Sequence, residues 1–285
     1  MKQAQLTKNS LKILLVVITL VLAGLFIFLK SRSENVEKNE FRPIIGDATL
    51  MIGDSQSVRG LGSAVALSLA KNSISEKNKF YLYAISGSRF SDWVDGSVYK
   101  LKESFFFIQP NRTDKRGSSL ETAEMHMKLK DLVESIRPKI LILSFGINEF
   151  VNSHQPDDPN DVKSKAVIFA TRSQLKDLLI RHPKMQCFWF GPTLITKSKY
   201  LDSEQNRFFN ELKYAVSATG CQYVDSRIIV DIDFTSNQKP ASIERCYVQG
   251  APPLKPDSAD GIHISGQKLN YWSECLIKQM ENRTR

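Results

Sequence analysis

Histidine and cysteine are scarce in this chain, at four residues each among 285. The cysteines, Cys187, Cys221, Cys246 and Cys275, form no Cys-x-x-Cys pair, so a zinc knuckle or a dithiol redox motif has little support. Despite a formal net charge of +9, no basic block is interleaved with stacking aromatics. That argues against a nucleic-acid partner and leaves a basic surface suited to anionic lipid or polysaccharide. Internal repeats and low-complexity segments are also missing. Solenoid and disordered architectures are therefore poor readings.

One long apolar run is present near the start. From Ile13 to Leu29 only Thr19 and Gly24 interrupt it, with Lys2, Lys8 and Lys12 before it and Lys30 and Arg32 after it. Its 17 residues, at ~1.5 Å rise, span about 26 Å, the short end for crossing a bilayer. A cleaved signal peptide would show small residues after the run, and Phe26-Ile27-Phe28-Leu29-Lys30 stands there instead. The expected organisation is a short tail over 1–12, a transmembrane signal-anchor helix over 13–29 and a charged tether over 30–43. A globular domain then fills 44–285. Basic residues on both flanks give a weak orientation signal. The simplest topology places the domain outside the cytoplasm, on the periplasmic or extracellular face. Four cysteines fit an oxidising compartment without requiring one.

Beyond the tether, apolar runs alternate with helical patterns. The runs are 48–53, 80–85, 140–145, 185–190 and 221–224, and each ends in a cluster of Gly, Ser, Asn or Asp. Helical periodicity covers 61–69, 121–136, 166–180, 204–218 and about 266–280, with Gly220 placed as a C-cap. Strands apolar throughout, separated by helices, predict a parallel sheet covered on both faces. Ligand sites in such sheets lie outside the carboxyl ends of the strands, which gathers the polar clusters in space. Two longer segments break the alternation. One is 90–119, with Trp93 and Phe105-Phe106-Phe107; the other is 227–259, with Asp231, Asp233 and Cys246. Each reads as a lid or binding wall, or as packing for the sheet edge.

Gly53-Asp54-Ser55 closes the first run. At a strand-to-helix junction Ser55 can cap the helix, or stand as a nucleophile beside the first helical N–H groups. Asp260-Gly261-Ile262-His263, near the C-terminus, is what favours the second role. A carboxylate three residues from an imidazole can fix its tautomer and free the other ring nitrogen to take a serine proton. No other histidine has that short-range partner: His126 lies on a polar helix and His182 closes one beside Pro183. His154 shares a loop with Asp157, Asp158 and Asp161, which reads as a solvated turn before it reads as a metal site. The N–H groups of Ser55 and Gly87 and the amide of Asn148 are candidate donors to an oxyanion. Asn148 read alone is a turn residue. One such donor is worth ~3–4 kcal/mol in a transition state.

Gly53-Asp54-Ser55, Gly87, Gly146-x-Asn148 and Asp260-x-x-His263, in this order, resemble the four sequence blocks of the SGNH hydrolases, the GDSL-type esterases and lipases. The likeness runs from about Leu50 to Tyr271. It implies a flavodoxin-like three-layer α/β/α sandwich with a five-stranded parallel sheet. Ser55 is implied as nucleophile, His263 as base and Asp260 as its orienting acid. Ser55, Gly87 and Asn148 are implied as the oxyanion hole. Two positions depart from the family pattern: Glu149 replaces the usual Asp after Asn148, and Gln56-Ser57 follows the nucleophile in place of Leu. These variants, with Cys-x-Trp and Gly-Pro at the fourth strand, look more like bacterial envelope members. In the implied sheet Cys187 and Cys221 start neighbouring strands, so a Cys187–Cys221 bridge is a hypothesis, with Cys246–Cys275 as the second. Four cysteines nevertheless allow three pairings.

The expected activity is serine-dependent hydrolysis of a carboxylic ester, removing small acyl groups such as acetyl from an acylated cell-envelope glycan. Side chains and water complete that chemistry, so no metal or organic cofactor is expected. Two other readings stay open: an O-acyltransferase with a glycan hydroxyl as acceptor, and a catalytically silent glycan-binding module.

Overall fold

The computed structural model describes residues 48–72, 79–100, 104–109, 112–117, 128–154, 162–197, 200–231, 246–247 and 251–282. The expected tail, anchor and tether, the aspartates at 157, 158 and 161, and His126 lie outside these residues. No helix among the described residues is long and apolar enough to cross a membrane.

Seven strands form one sheet: β1 (Thr49–Gly53), β2 (Phe80–Ile85), β3 (Phe105–Gln109), β4 (Arg112–Gly117), β5 (Ile140–Ser144), β6 (Gln186–Phe190) and β7 (Gln222–Val224). Their order is β4-β3-β2-β1-β5-β6-β7. The β2-β1-β5-β6-β7 portion is parallel throughout and corresponds to the five apolar runs. β3 and β4 pair antiparallel at the β2 edge. The five-stranded expectation is thus corrected to seven. The reason lies in the 90–119 segment: Phe105-Phe106-Phe107 alternate across the pleat, Phe107 on one face and Phe106 on the other. That period-two pattern suits a strand paired on both sides, between β2 and β4, better than a lid.

The helices are α1 (Gly62–Asn72), α2 (Phe90–Asp95), α3 (Leu129–Ile136), α4 (Ile147–Ser153), α5 (Val162–Arg181), α6 (Asp202–Ser217) and α7 (Gly266–Asn282). Side chains alternate between two cores, one on each face of the sheet. Leu50, Ile52, Leu141, Leu143 and Trp189 join residues of α2 to α6. Met51, Leu82, Ile142, Phe188 and Phe190 join α1 and α7. Both faces are therefore covered, which is why these strands are apolar throughout and not alternating. Cys187 is bonded to Cys221 and Cys246 to Cys275.

In chain order the parallel strands run 2-1-3-4-5, a common doubly wound arrangement whose switch point falls between the first and third. Here those are β1 and β5. Ser55 follows one and Asn148 the other, so both stand at the crevice that the strand order opens.

Candidate active site

The turn after β1 is shaped by close approach. A Cβ on Gly53 would fall 2.0 Å from Ser57 Oγ, so only glycine lets the chain fold back this tightly. Asp54, not Ser55, caps the following helical turn: its Oδ1 accepts from Gln56 N at 3.0 Å and its carbonyl from Val58 N at 3.1 Å. That leaves the Ser55 hydroxyl to another partner. Ser55 Oγ lies 3.0 Å from His263 Nε2, 208 residues away along the chain.

His263 Nδ1 in turn lies 2.6 Å from Asp260 Oδ2. The loop that presents this pair curls on itself. Ser258 Oγ donates to Asp260 Oδ1 at 2.5 Å and accepts from His263 N at 2.9 Å, while Ile262 N donates to Asp260 Oδ1 at 2.9 Å. Burial opposes the Asp260 charge. The bonds from Ser258, Ile262 and His263 outweigh it and hold the carboxyl well below the usual range. With Asp260 ionised, the ring proton of neutral His263 sits on Nδ1 and Nε2 is free to accept. Burial also depresses the His263 pKa; the Asp260 hydrogen bond pulls it up, and the cations Arg59 and Lys197 push it down again. The imidazole is therefore neutral near pH 7, the state a base needs.

Two contacts dock this loop onto the sheet. Gln56 Nε2 donates to the Ile262 carbonyl at 2.6 Å, and Thr196 N to the Gly261 carbonyl at 2.9 Å. Arg59 Nη1 reaches Asp260 Oδ2 at 3.3 Å from an exposed position. Neither Ser258, Gln56 nor Arg59 was legible as a site residue. Their roles depend on how two distant loops meet. The one available signal was Gln56 itself, which departs from the pattern in the first block; burial of its amide against Ile262 accounts for a polar residue there.

Gly87 stands in the turn after β2 with φ +76°, a left-handed conformation that favours glycine. Ser88, next to it, is buried, and its Oγ donates to the Ile85 carbonyl at 2.7 Å. The side chain of Asn148 bridges the β1 and β2 ends: Nδ2 donates to the Ser88 carbonyl at 2.9 Å and lies 3.5 Å from Asp54 Oδ2. The second contact is at the limit of hydrogen bonding, so one amide N–H is weakly held. Asn148 thus reaches the neighbours of both Ser55 and Gly87. Glu149, beside it, is buried, and its Oε1 accepts from Phe90 N at 2.6 Å.

The remaining candidates have structural surroundings. His154 stacks on Phe150 with ring centroids 4.8 Å apart and lies 3.3 Å from Glu204 Oε2. It is packed at the end of α4, away from the triad's hydrogen bonds. No grouping of three or more metal-ligating side chains occurs among the described residues.

No family model matches the sequence, and no curated protein matches it. Among solved structures, the acetyl xylan esterase AlAXEase overlaps at 14% identity, over 83% of this chain and 98% of its own, with a TM-score of 0.47. Axe2, an acetylxylan esterase from Geobacillus stearothermophilus, overlaps at 15% identity, over 83% and 94%, with a TM-score of 0.48. LAE5, an alpha/beta hydrolase enzyme from the metagenome of Lake Arreo, Spain, overlaps at 13%, over 81% and 97%, with a TM-score of 0.46. Likeness at these scores says nothing of activity. The functional reading rests on the chain's own residues.

Proposed function

We propose that the chain is a serine carboxylic-ester hydrolase of the SGNH type, built on a flavodoxin-like sheet. The observation that carries this is the linear hydrogen-bonded series Ser55 Oγ, His263 Nε2, His263 Nδ1, Asp260 Oδ2, at 3.0 and 2.6 Å. In this reading Ser55 attacks the ester carbonyl while its proton passes to His263 Nε2. The imidazolium formed is stabilised by Asp260, which stays ionised. Negative charge on the carbonyl oxygen is met by the N–H groups of Ser55 and Gly87 and by the weakly held N–H of Asn148. His263 then protonates the departing alcohol oxygen, and a water activated by the same nitrogen releases the acid from the acyl-enzyme.

The proposed substrate is a small acyl ester, acetyl above all, on a cell-envelope glycan. Support comes from the apolar run at 13–29 as a membrane anchor and from the bridges Cys187–Cys221 and Cys246–Cys275, which suit an oxidising compartment outside the cytoplasm. The test is hydrolysis of an activated acetyl ester by the purified chain and by Ser55→Ala. Turnover that survives Ser55→Ala removes Ser55 as nucleophile. Acetate that appears on an added glycan, not in water, replaces the hydrolase with a transferase. No turnover on any ester favours a binding module.

A further inference from the structure

Glu149 occupies a position with no assigned part in the chemistry, yet it is a wholly buried acid adjacent to Asn148. Its Oε1 accepts from Phe90 N at 2.6 Å, and that bond crosses from the α4 start to the α2 start. Its Oε2 has no hydrogen-bond partner among the described residues. A buried carboxyl with one unmet oxygen is costly, so its presence here calls for a gain elsewhere.

The gain is visible two residues upstream of Phe90. Asn148 Nδ2 donates to the Ser88 carbonyl at 2.9 Å. Consecutive side chains of α4 therefore grip one short stretch at two points, a carbonyl at 88 and an N–H at 90. From inside that stretch, Ser88 Oγ bonds the Ile85 carbonyl at 2.7 Å, accepts from Trp93 Nε1 at 3.1 Å and lies 3.4 Å from the Gly53 carbonyl. Gly87 is the residue just before the gripped stretch. Gly87 has no side chain to hold it in place, so its N–H, in the Ser86–Gly87 peptide, is held between the end of β2 and the backbone that begins at Ser88, whose N–H donates to the Ile85 carbonyl at 3.3 Å. Asn148 and the Ser88 hydroxyl fix the stretch at its first residue. The Glu149–Phe90 bond fixes it a second time, two residues on.

We infer that Glu149 is a positioning residue for the oxyanion hole, acting as a hydrogen-bond acceptor that clamps the 87–90 turn and so fixes the Gly87 N–H relative to Asn148. The inference rests on the reading of Gly87 and Asn148 as oxyanion donors. Acceptor capacity, not charge, is the property required. Burial raises the Glu149 pKa to about 7, against the pull of the Phe90, Glu149 and Gly146 N–H groups. A side chain that is half protonated near neutral pH still accepts through Oε1.

Glu149→Gln keeps an acceptor in the same place, whereas Glu149→Ala removes it and Glu149→Leu removes it at nearly the same volume. With an activated acetyl ester, Glu149→Ala and Glu149→Leu are expected to lower kcat about 10- to 100-fold with KM within about twofold, since only transition-state contacts are displaced. Glu149→Gln is expected to stay within about threefold of the parent chain. Amide exchange supplies a second readout that needs no substrate: the 87–90 segment should exchange faster in Glu149→Ala and Glu149→Leu and as in the parent in Glu149→Gln. If the parent hydrolyses no ester, the exchange pattern still decides the clamp, so its failure and that of the hydrolase reading are told apart. Parent-like kcat in Glu149→Leu, a loss in Glu149→Gln as deep as in Glu149→Ala, or unchanged exchange at 87–90 would each overturn the inference.

Discussion

Raising the pH should destabilise the folded chain through Glu149, and Glu149→Gln should remove that contribution. The Glu149 carboxyl is fully buried, and burial lifts its pKa from 4.5 to about 7. A raised folded-state value means the native state binds the proton more tightly than the unfolded chain does. Stability from this group is complete below about pH 4.5 and declines as the pH rises through 7. At about 1.4 kcal/mol per tenfold in proton affinity, the difference amounts to about 3 kcal/mol. Asp54 acts in the same direction: burial, and then the Glu149 charge, raise it from 3.8 to about 8. His263 acts in the opposite direction, because burial depresses its pKa and its contribution is lost as the pH falls. Subtracting Glu149→Gln from the parent removes Glu149 together with its effect on Asp54, which acts in the same direction. Urea unfolding of both proteins at about one-unit steps from pH 5 to 8.5 gives the two curves. The parent should lose about 2–3 kcal/mol more than Glu149→Gln across that range. Parallel curves, within about 0.5 kcal/mol, would show that Glu149 titrates near its ordinary value and is not buried as described.

The site and the two disulfides set five further outcomes. Ser55→Ala should abolish formation of an acyl-enzyme detectable by mass, and Asp260→Asn should lower kcat by about 10³- to 10⁴-fold by freeing the wrong imidazole tautomer. In the parent, kcat/KM for a neutral ester should rise with pH through a midpoint below 6.5, because burial depresses the His263 pKa from that ordinary value. Arg59→Gln should move that rise to higher pH, since the guanidinium near Asp260 disfavours the imidazolium; a pH–rate profile at low salt reads the displacement. Reducing the disulfides should lower the unfolding midpoint. The bridges close spans of 34 and 29 residues, each worth about 3–4 kcal/mol on the chain-entropy model.

The parallel sheet was legible because burial on both faces leaves a plain mark in the sequence. Runs such as Leu141-Ile142-Leu143 have no polar alternation, and five of them separated by helical periods leave few topologies. β3 and β4 were not, because no Asn-Gly or Asp-Gly dipeptide stands between Phe105–Gln109 and Arg112–Gly117, and Phe105-Phe106-Phe107 reads equally as a buried strand or as an apolar loop. Ser55, Asp260 and His263 were legible for a different reason. Asp260 and His263 sit three residues apart, so a single local turn unites carboxylate and imidazole, and only their meeting with Ser55 depended on the fold. Gly53 and Gly87 were legible as glycines. Why the first must be glycine, an approach to Ser57 closer than any Cβ permits, becomes visible only in three dimensions.

The two departures from the SGNH pattern, Gln56 and Glu149, stand where they hold the candidate site together. Gln56 and Glu149 follow Ser55 and Asn148 directly, and each is buried. Each also directs a side-chain hydrogen bond to the backbone of another loop: Gln56 to the Ile262 carbonyl, Glu149 to Phe90 N. The β1, β2 and β5 ladders bring Ser55, Gly87 and Asn148 to one crevice, but the loop of His263 follows no strand, so no ladder sets its distance from Ser55. Side chains next to these residues add the remaining ties. Gln56 ties the Ser55 turn to the loop of His263, and Glu149 ties the Asn148 helix to the start of α2, beyond the turn of Gly87. The 3.0 Å between Ser55 Oγ and His263 Nε2, held across 208 residues, is therefore supported by the buried amide beside Ser55 together with the Thr196–Gly261 bond. Loosening that amide should change catalysis before it changes the fold, because the sheet beneath it is packed independently on both faces.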